Sequence, residues 1–312
     1  MLCDEKVLFF DFDEFVVEEI RKDLEPYYLR GRLKDNNSMK NILYNVNLLK
    51  EWLTNRVLSL SRSNAKQIYA MFRIPQRADL ETRVNVCLKC KGVSITDSYW
   101  VSEDNESFSD VNIRTKHFNE IVDVSLYGCN PTATTNYVCP DLTTQGLFRK
   151  AWIRNDDIYL LKSDNTANNI NTRMEVLASQ ILDCFVNKID CVSYSGRVRN
   201  TKQGKLYVDK CQNFVTEEYS FVEAYELYVH ENYQDFFNTI PYSGDIAVLD
   251  YILMNTDRHL QNYGFLMSNR DGKIAGLAPL FDFNLALVAD YLGRDVENTL
   301  SQMFNDGKTY LI

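Results

Sequence analysis

Asn255-Thr256-Asp257-Arg258-His259-Leu260-Gln261-Asn262 stands immediately before an apolar run, Tyr263-Gly264-Phe265-Leu266-Met267. The turn Asn269-Arg270-Asp271-Gly272 follows, and then Leu280-Phe281-Asp282-Phe283. This order predicts a loop, a strand, a turn and a second strand with Asp282 at its end. Two Asp and one Asn so placed are what phosphoryl transfer on Mg²⁺ needs. One carboxylate orients the attacking hydroxyl, while an amide and another carboxylate hold metal on the phosphates. Mg²⁺ prefers hard oxygen ligands and takes only a few from the protein. Each of the three residues alone is also an ordinary choice for a turn or a cap. Upstream, Asp245-Ile246-Ala247-Val248-Leu249-Asp250-Tyr251-Ile252-Leu253-Met254 reads as an apolar helix delivering the loop, with Arg258 placed to pair with Asp250 or with a phosphorylated residue.

Asp-Arg-His-x-x-Asn, a strand–turn–strand and a further Asp together resemble the HipA-like serine/threonine kinases and, over this segment, the phosphoinositide kinases. The resemblance implies that Asp257 is the catalytic base, Asn262 a metal ligand and Asp282 the metal-binding Asp. Asp282-Phe283 runs on into Asn284 where protein kinases carry Gly. An imidazole can serve as a general base, but the resemblance implies that His259 chiefly organises the loop.

A kinase also places a flexible loop over the phosphates and a Lys on a nearby strand. Thr143-Thr144-Gln145-Gly146 enters an apolar stretch through Trp152-Ile153, and Asn155-Asp156-Asp157 turns it into Ile158-Tyr159-Leu160-Leu161-Lys162. Lys162 closes that strand and fits the phosphate-contacting Lys. The loop is neither a full G-x-G-x-x-G nor a Walker A motif. The family resemblance implies Thr143, Thr144 and Gly146 as phosphate-loop positions, with Thr143 or Thr144 a site of autophosphorylation. Beyond a polar linker at 165–171, Thr172-Arg173-Met174-Glu175 opens a helix. Two readings of Glu175 stand: partner of Thr172 in a capping box, or partner of Lys162. Cys191-Val192-Ser193-Tyr194 and Leu206-Tyr207-Val208-Asp209-Lys210 read as two strands around Gln203-Gly204-Lys205. Gln212 and Phe214 then sit where a hinge would hold an adenine ring.

Toward the N-terminus, Val7-Leu8-Phe9-Phe10 reads as a strand and the acidic run from Phe15 to Ile20 as helical, with Asp11 and Asp13 as carboxylates at its start. Residues 41–75 read as helical from the recurrence of Ile42, Val46, Leu49 and Leu53, with Ser63-Asn64-Ala65-Lys66 capping a second helix. A third runs from Leu80 to Lys91 and stops at Gly92. Its Cys87 and Cys90 read as a thiol pair on one face, because no second pair at zinc-ligand spacing accompanies them. The turn-rich stretch 128–141 reads as a boundary, and 289–312 as an acidic tail, helical at most.

Across 312 residues, 34 Lys and Arg stand against 43 Asp and Glu, a net charge of −9. That balance argues against electrostatic capture of nucleic acid. No apolar run approaches a membrane span, and the N-terminus lacks the order of a signal peptide. The scattered cysteines read as reduced core thiols. The expectation is a cytoplasmic protein.

Taken together, the readings predict an α+β chain with a bilobal protein-kinase-like fold, a small β-rich N-lobe and a helical C-lobe behind a helical N-terminal extension. The expected domains are 1–125, 126–211 for the N-lobe and 212–312 for the C-lobe. The expected activity is ATP- and Mg²⁺-dependent transfer to a Ser or Thr hydroxyl of a protein substrate. Family members often act as toxins, so the resemblance also implies an antitoxin or regulatory protein as partner. A small-molecule or lipid kinase, and a catalytically silent pseudokinase acting as an interaction module, are the alternatives.

Overall fold

The computed structural model describes residues 1–77, 79–103, 105–128, 134, 136–164, 169–185, 189–201, 204–228 and 243–287. Much of the expected boundary after Gly128, linker residues 165–168, Gln203 and the tail 289–312 lie outside the described residues. In chain order come β1 (Leu8–Asp11), β2 (Val16–Glu19), α1 (Met39–Asn55), α2 (Ala65–Met71), α3 (Leu80–Lys89), α4 (Phe108–Val111) and α5 (Val122–Tyr127). Then follow β3 (Arg149–Arg154), β4 (Ile158–Ser163), α6 (Ile170–Leu182), β5 (Tyr194–Thr201), β6 (Gly204–Gln212), β7 (Tyr219–Glu223), α7 (Ala224–Tyr228), α8 (Ser243–Ile252), β8 (Gly264–Ser268) and β9 (Ile274–Leu277). Helices and sheets are mixed along the chain, as an α+β reading requires. No helix among the described residues is long and apolar enough to cross a membrane.

The chain divides into two compact units. The first comprises Met1–Ile158, Val215–Val222 and Leu266–Gly276. Its core gathers Leu48, Leu49 and Leu53 of α1, Ile68 and Tyr69 of α2, and Val84 and Cys87 of α3. Ser38 caps α1 by accepting from Asn41 N at 3.3 Å, and Asp79 caps α3 by accepting from Thr82 N at 2.9 Å. These caps satisfy backbone donors that a helix start leaves open. Asn64 stands at the N-cap of α2, but its side chain makes no capping bond. Its amide is drawn into the core, where it donates to the carbonyls of Val124 and Ser125. The third helix ends at Lys89, short of Lys91, and Gly92 N closes on Cys87 O at 2.8 Å. Cys87 and Cys90 are both buried free thiols.

The run from Phe15 to Ile20 is not helical. Val16–Glu19 pairs antiparallel with Leu8–Asp11, with Asp11 opposite Val16. Asp11 Oδ1 accepts from the amides of Asp13 at 2.9 Å and Glu14 at 3.1 Å. The aspartate therefore shapes the hairpin turn instead of a helix start, and two adjacent valines suit the strand.

The sheet β7–β8–β9 lies mainly in this first unit. Its β8–β9 turn docks on the N-terminal segment, where Gly272 O accepts from Tyr27 Oη at 3.2 Å and Arg30 Nη1 at 3.1 Å. Asn269 reaches Ser98 Oγ at 3.1 Å and accepts from Ser220 Oγ at 2.6 Å.

The second unit comprises Tyr159–Phe214, Glu223–Phe265 and Leu277–Ile312. Here β4, β6 and β5 run side by side, each neighbouring pair antiparallel, and α6 packs against β5 and β6. The expected Cys191 strand begins only at Tyr194; Cys191 instead makes a single parallel bridge to Leu280. Asp282 likewise lies beyond the strand expected to carry it, because β9 ends at Leu277.

At Gly272 the backbone φ is 67°, and an added Cβ would drive into the carbonyl oxygen of Asp23. Gly31 has a similar φ of 71° with nothing within 4 Å of such a Cβ. Gly272→Ala is expected to lower unfolding free energy by about 2–3 kcal/mol and Gly31→Ala by about 1 kcal/mol in denaturant titrations. Equal losses would show that the docked turn has room to spare.

Candidate active site

Lys162 is the centre of the second unit's polar cluster. It sits on β4 between the buried Leu161 and Ser163, so its stem is enclosed and the ammonium depends on nearby partners. Lys162 Nζ donates to Glu175 Oε1 at 2.6 Å, to Asp282 Oδ1 at 3.0 Å and to Tyr194 Oη at 3.4 Å. The side chains of Lys162 and Glu175 are 7% and 1% exposed, and that of Asp282 is 20%. Burial alone would lower the Lys162 pKa, but Asp282 and Glu175 outweigh it and hold the ammonium well above its ordinary range.

Glu175 takes no part in a capping box. The helix starts two residues before Thr172, with Asn169 at its N-cap. Asp164 does the capping from outside, accepting from Thr172 N at 2.7 Å and Thr172 Oγ1 at 2.6 Å. That leaves Glu175 one turn further on, facing Lys162.

Asp257, His259 and Asn262 lie in the loop after α8. Asn255 anchors it, donating its side-chain amide to Asp250 Oδ1 at 2.8 Å and accepting from Asp257 N at 3.3 Å. Asn262 folds back across the loop: its Oδ1 accepts from His259 N at 3.0 Å, and its Nδ2 donates to Asp257 O. His259 is exposed and its Nδ1 accepts from Gln261 N at 3.2 Å, which leaves the ring proton on Nε2 in the neutral form. The imidazole thus shapes the loop.

Arg258 joins the loop to the segment carrying Asp282. Its Nε and Nη2 grip Asp250 at 2.9 and 3.0 Å, while Nη1 donates to Asn262 O at 2.7 Å and Phe281 O at 2.9 Å. One guanidinium therefore holds helix, loop end and the residue before Asp282. Asp282 itself has φ of 61°, a left-handed backbone that a non-glycine residue adopts at a cost. Its N–H reaches Tyr194 Oη at 3.4 Å.

The expected hinge residues fall at a unit boundary, since the chain leaves the second unit after Phe214. Gln212 ends β6 opposite Tyr159, and the ring of Phe214 lies 5.9 Å from that of Phe281. Thr143, Thr144 and Gly146 belong to the first unit. There both threonine hydroxyls donate to Pro140 O, at 3.3 and 2.6 Å, and Trp152 Nε1 donates to Thr144 Oγ1 at 2.9 Å. Gly146 has φ of 105°, with the Lys150 side chain against it.

Asp257, Asn262 and Asp282 are hard-oxygen donors of the kind Mg²⁺ accepts. No group of three or more His, Cys, Asp or Glu able to hold a metal occurs among the described residues. Mg²⁺ is commonly bound by one or two protein carboxylates plus substrate phosphates, so a pair such as Asp282 with Asn262 is compatible with it.

Two site neighbours escaped the sequence reading, Tyr194 and Asp209. Asp209 lies on β6 opposite Lys162 and is fully buried. Its signal was a lone acid at an interior position of an apolar strand, visible only once the strand register is known.

No family model matches the chain, and no curated protein matches it. Among solved structures, the Helicobacter pylori proinflammatory kinase CtkA is similar, with a TM-score of 0.39 and 17% identity over 51% of this chain. The match covers 64% of that kinase, less than two thirds of its length. A likeness of that size leaves the function to be read from the site's own geometry.

Arg258→Met is expected to cost about 3–5 kcal/mol in denaturant unfolding, because it strands the Asp250 carboxylate at 8% exposure. Adding Asp250→Asn should recover part of that loss, and no recovery would show that the stapling of the two carbonyls matters more than the charge.

Proposed function

We propose that the second unit is the catalytic part of a phosphotransferase that uses ATP with Mg²⁺ and delivers the γ-phosphate to a Ser or Thr hydroxyl of a protein. The observation that carries this reading is Lys162, buried between Glu175 and Asp282, in the same unit as a loop whose Arg258 bridges Asn262 and Phe281. A cation held by one carboxylate from a helix and another from a metal-binding position suits a phosphate-binding lysine. In this reading Asp257 accepts the proton of the acceptor hydroxyl as its oxygen attacks the γ-phosphorus, and the bond to the bridging oxygen breaks to release ADP. Mg²⁺, held by Asp282 and Asn262, would neutralise phosphate charge. Gln212 and Phe214 are proposed to flank the base, and His259 to keep the loop in shape. Thr143, Thr144 and Gly146 are proposed as phosphate-loop positions, with Thr143 or Thr144 a site of autophosphorylation.

A catalytically silent module is the second reading. It is favoured by Asn262, whose amide oxygen and nitrogen are both engaged within the loop.

Incubation of the purified chain with ATP labelled in the γ-phosphate and Mg²⁺ separates the two. The wild type should transfer label to itself or to a generic protein acceptor, and Lys162→Met, Asp257→Ala and Asp282→Ala should each lose it by roughly a hundredfold or more. Absence of both label and Mg²⁺-dependent ATP binding in the wild type would exclude the phosphotransferase.

A further inference from the structure

Beside the Lys162–Glu175 pair lies a carboxyl group with no role in the proposed chemistry. Asp209 on β6 stands directly across from Lys162 on β4, so both side chains leave the sheet on the same face. Asp209 is 0% exposed, and neither of its carboxyl oxygens accepts a hydrogen bond from any described donor. The group set against it is the carboxyl of Glu175, brought by α6. Two ionised carboxylates are both acceptors and cannot bond to each other; one proton between them makes a donor.

Charge counting says where that proton rests. Glu175, Asp209 and Asp282 would put three negative charges around the one ammonium of Lys162, in a site of low dielectric. Lys162 Nζ donates to Glu175 and Asp282. A buried carboxylate without such a bond retains its proton instead. Burial first, and Glu175 second, push the Asp209 carboxyl well above the carboxylate range. The other titratable neighbours stay uncharged: burial raises Tyr194 on β5 well above its ordinary value and Cys211 on β6 to about 12.

We propose that Asp209 is a positioning residue, a neutral acid that donates a hydrogen bond to Glu175 and so fixes the carboxylate that holds Lys162. Its consequence for nucleotide rests on the phosphotransferase reading: when Asp209 ionises, the added negative charge weakens the grip of Lys162 on phosphate.

The test uses the full chain with Asp209→Asn, whose amide N–H replaces the acid O–H, and Asp209→Leu, which fills the space without a donor. Mg²⁺–ATP binding is measured by calorimetry, and unfolding by denaturant, each from mildly acid to alkaline pH. Wild-type affinity should fall as pH rises, while Asp209→Asn binds without that fall and Asp209→Leu binds roughly tenfold more weakly throughout. Stability follows the same proton. A carboxyl whose folded pKa lies above its unfolded one binds protons more tightly in the fold. Its contribution is complete below the unfolded carboxylate range and is lost as pH climbs toward the folded value. The Asn variant should therefore gain on the wild type as pH rises. Parallel pH profiles for the wild type and Asp209→Asn in unfolding would overturn the proposal, as would wild-type affinity in Asp209→Leu. A wild type that binds no nucleotide at any pH would instead remove the phosphotransferase reading, with the unfolding difference still deciding where the proton sits.

Discussion

A buried ammonium needs oxygen around it, and much of the second unit is arranged to supply it. The Lys162 side chain is buried, where an unpaired charge would cost several kcal/mol. Three separate features bring its partners in. The antiparallel register of β4 with β6 sets which face Lys162 occupies. The cap that Asp164 provides to Thr172 sets the start of α6 and with it the direction of Glu175. The left-handed backbone at Asp282 turns a third segment so that its carboxylate meets the same nitrogen. Loss of any of these geometries leaves the cation short of an oxygen.

Arg258 solves a similar problem by a different route. Its planar fork spends two donors on the Asp250 carboxylate and keeps a third for two backbone carbonyls. A lysine supplies a point charge but no such fork. The arginine thus fixes distances between backbone segments as well as balancing a charge. Asn262 and His259 then complete the loop with short-range bonds that leave little slack.

The loop 255–262 was legible because its pattern is local. Asp257, His259 and Asn262 occupy one loop, and the helix before it and β8 after it follow the expected apolar pattern. The misread places share a different cause. Glu18 and Glu19 suggested a helix, but Asp11 turns the chain and the valines pair across it, so a turn outweighed the composition. Thr172 and Glu175 matched a capping box in spacing, yet Asn169 holds the N-cap position and Asp164, eight residues before Thr172, accepts from the Thr172 amide. Asn64 holds the N-cap position of α2, but its side-chain amide goes to a carbonyl sixty residues away. Asp209 carried no motif at all, since its meaning depends on which residue the neighbouring strand puts opposite it. In each case a partner outside the motif overrode the preference of the motif itself.

The interleaving of the two units bears on how the chain is made. It changes unit after Ile158, Phe214, Val222, Phe265 and Gly276. The polar cluster around Ser98 is finished by Ser220 and Asn269, and the N-terminal segment receives Gly272. During vectorial synthesis the bonds that Ser220 and Asn269 make with Ser98 can therefore form only after residue 269 has left the ribosome. By then the strands β4, β5 and β6 of the second unit have already emerged. The part that begins the chain is thus completed by segments made after those strands.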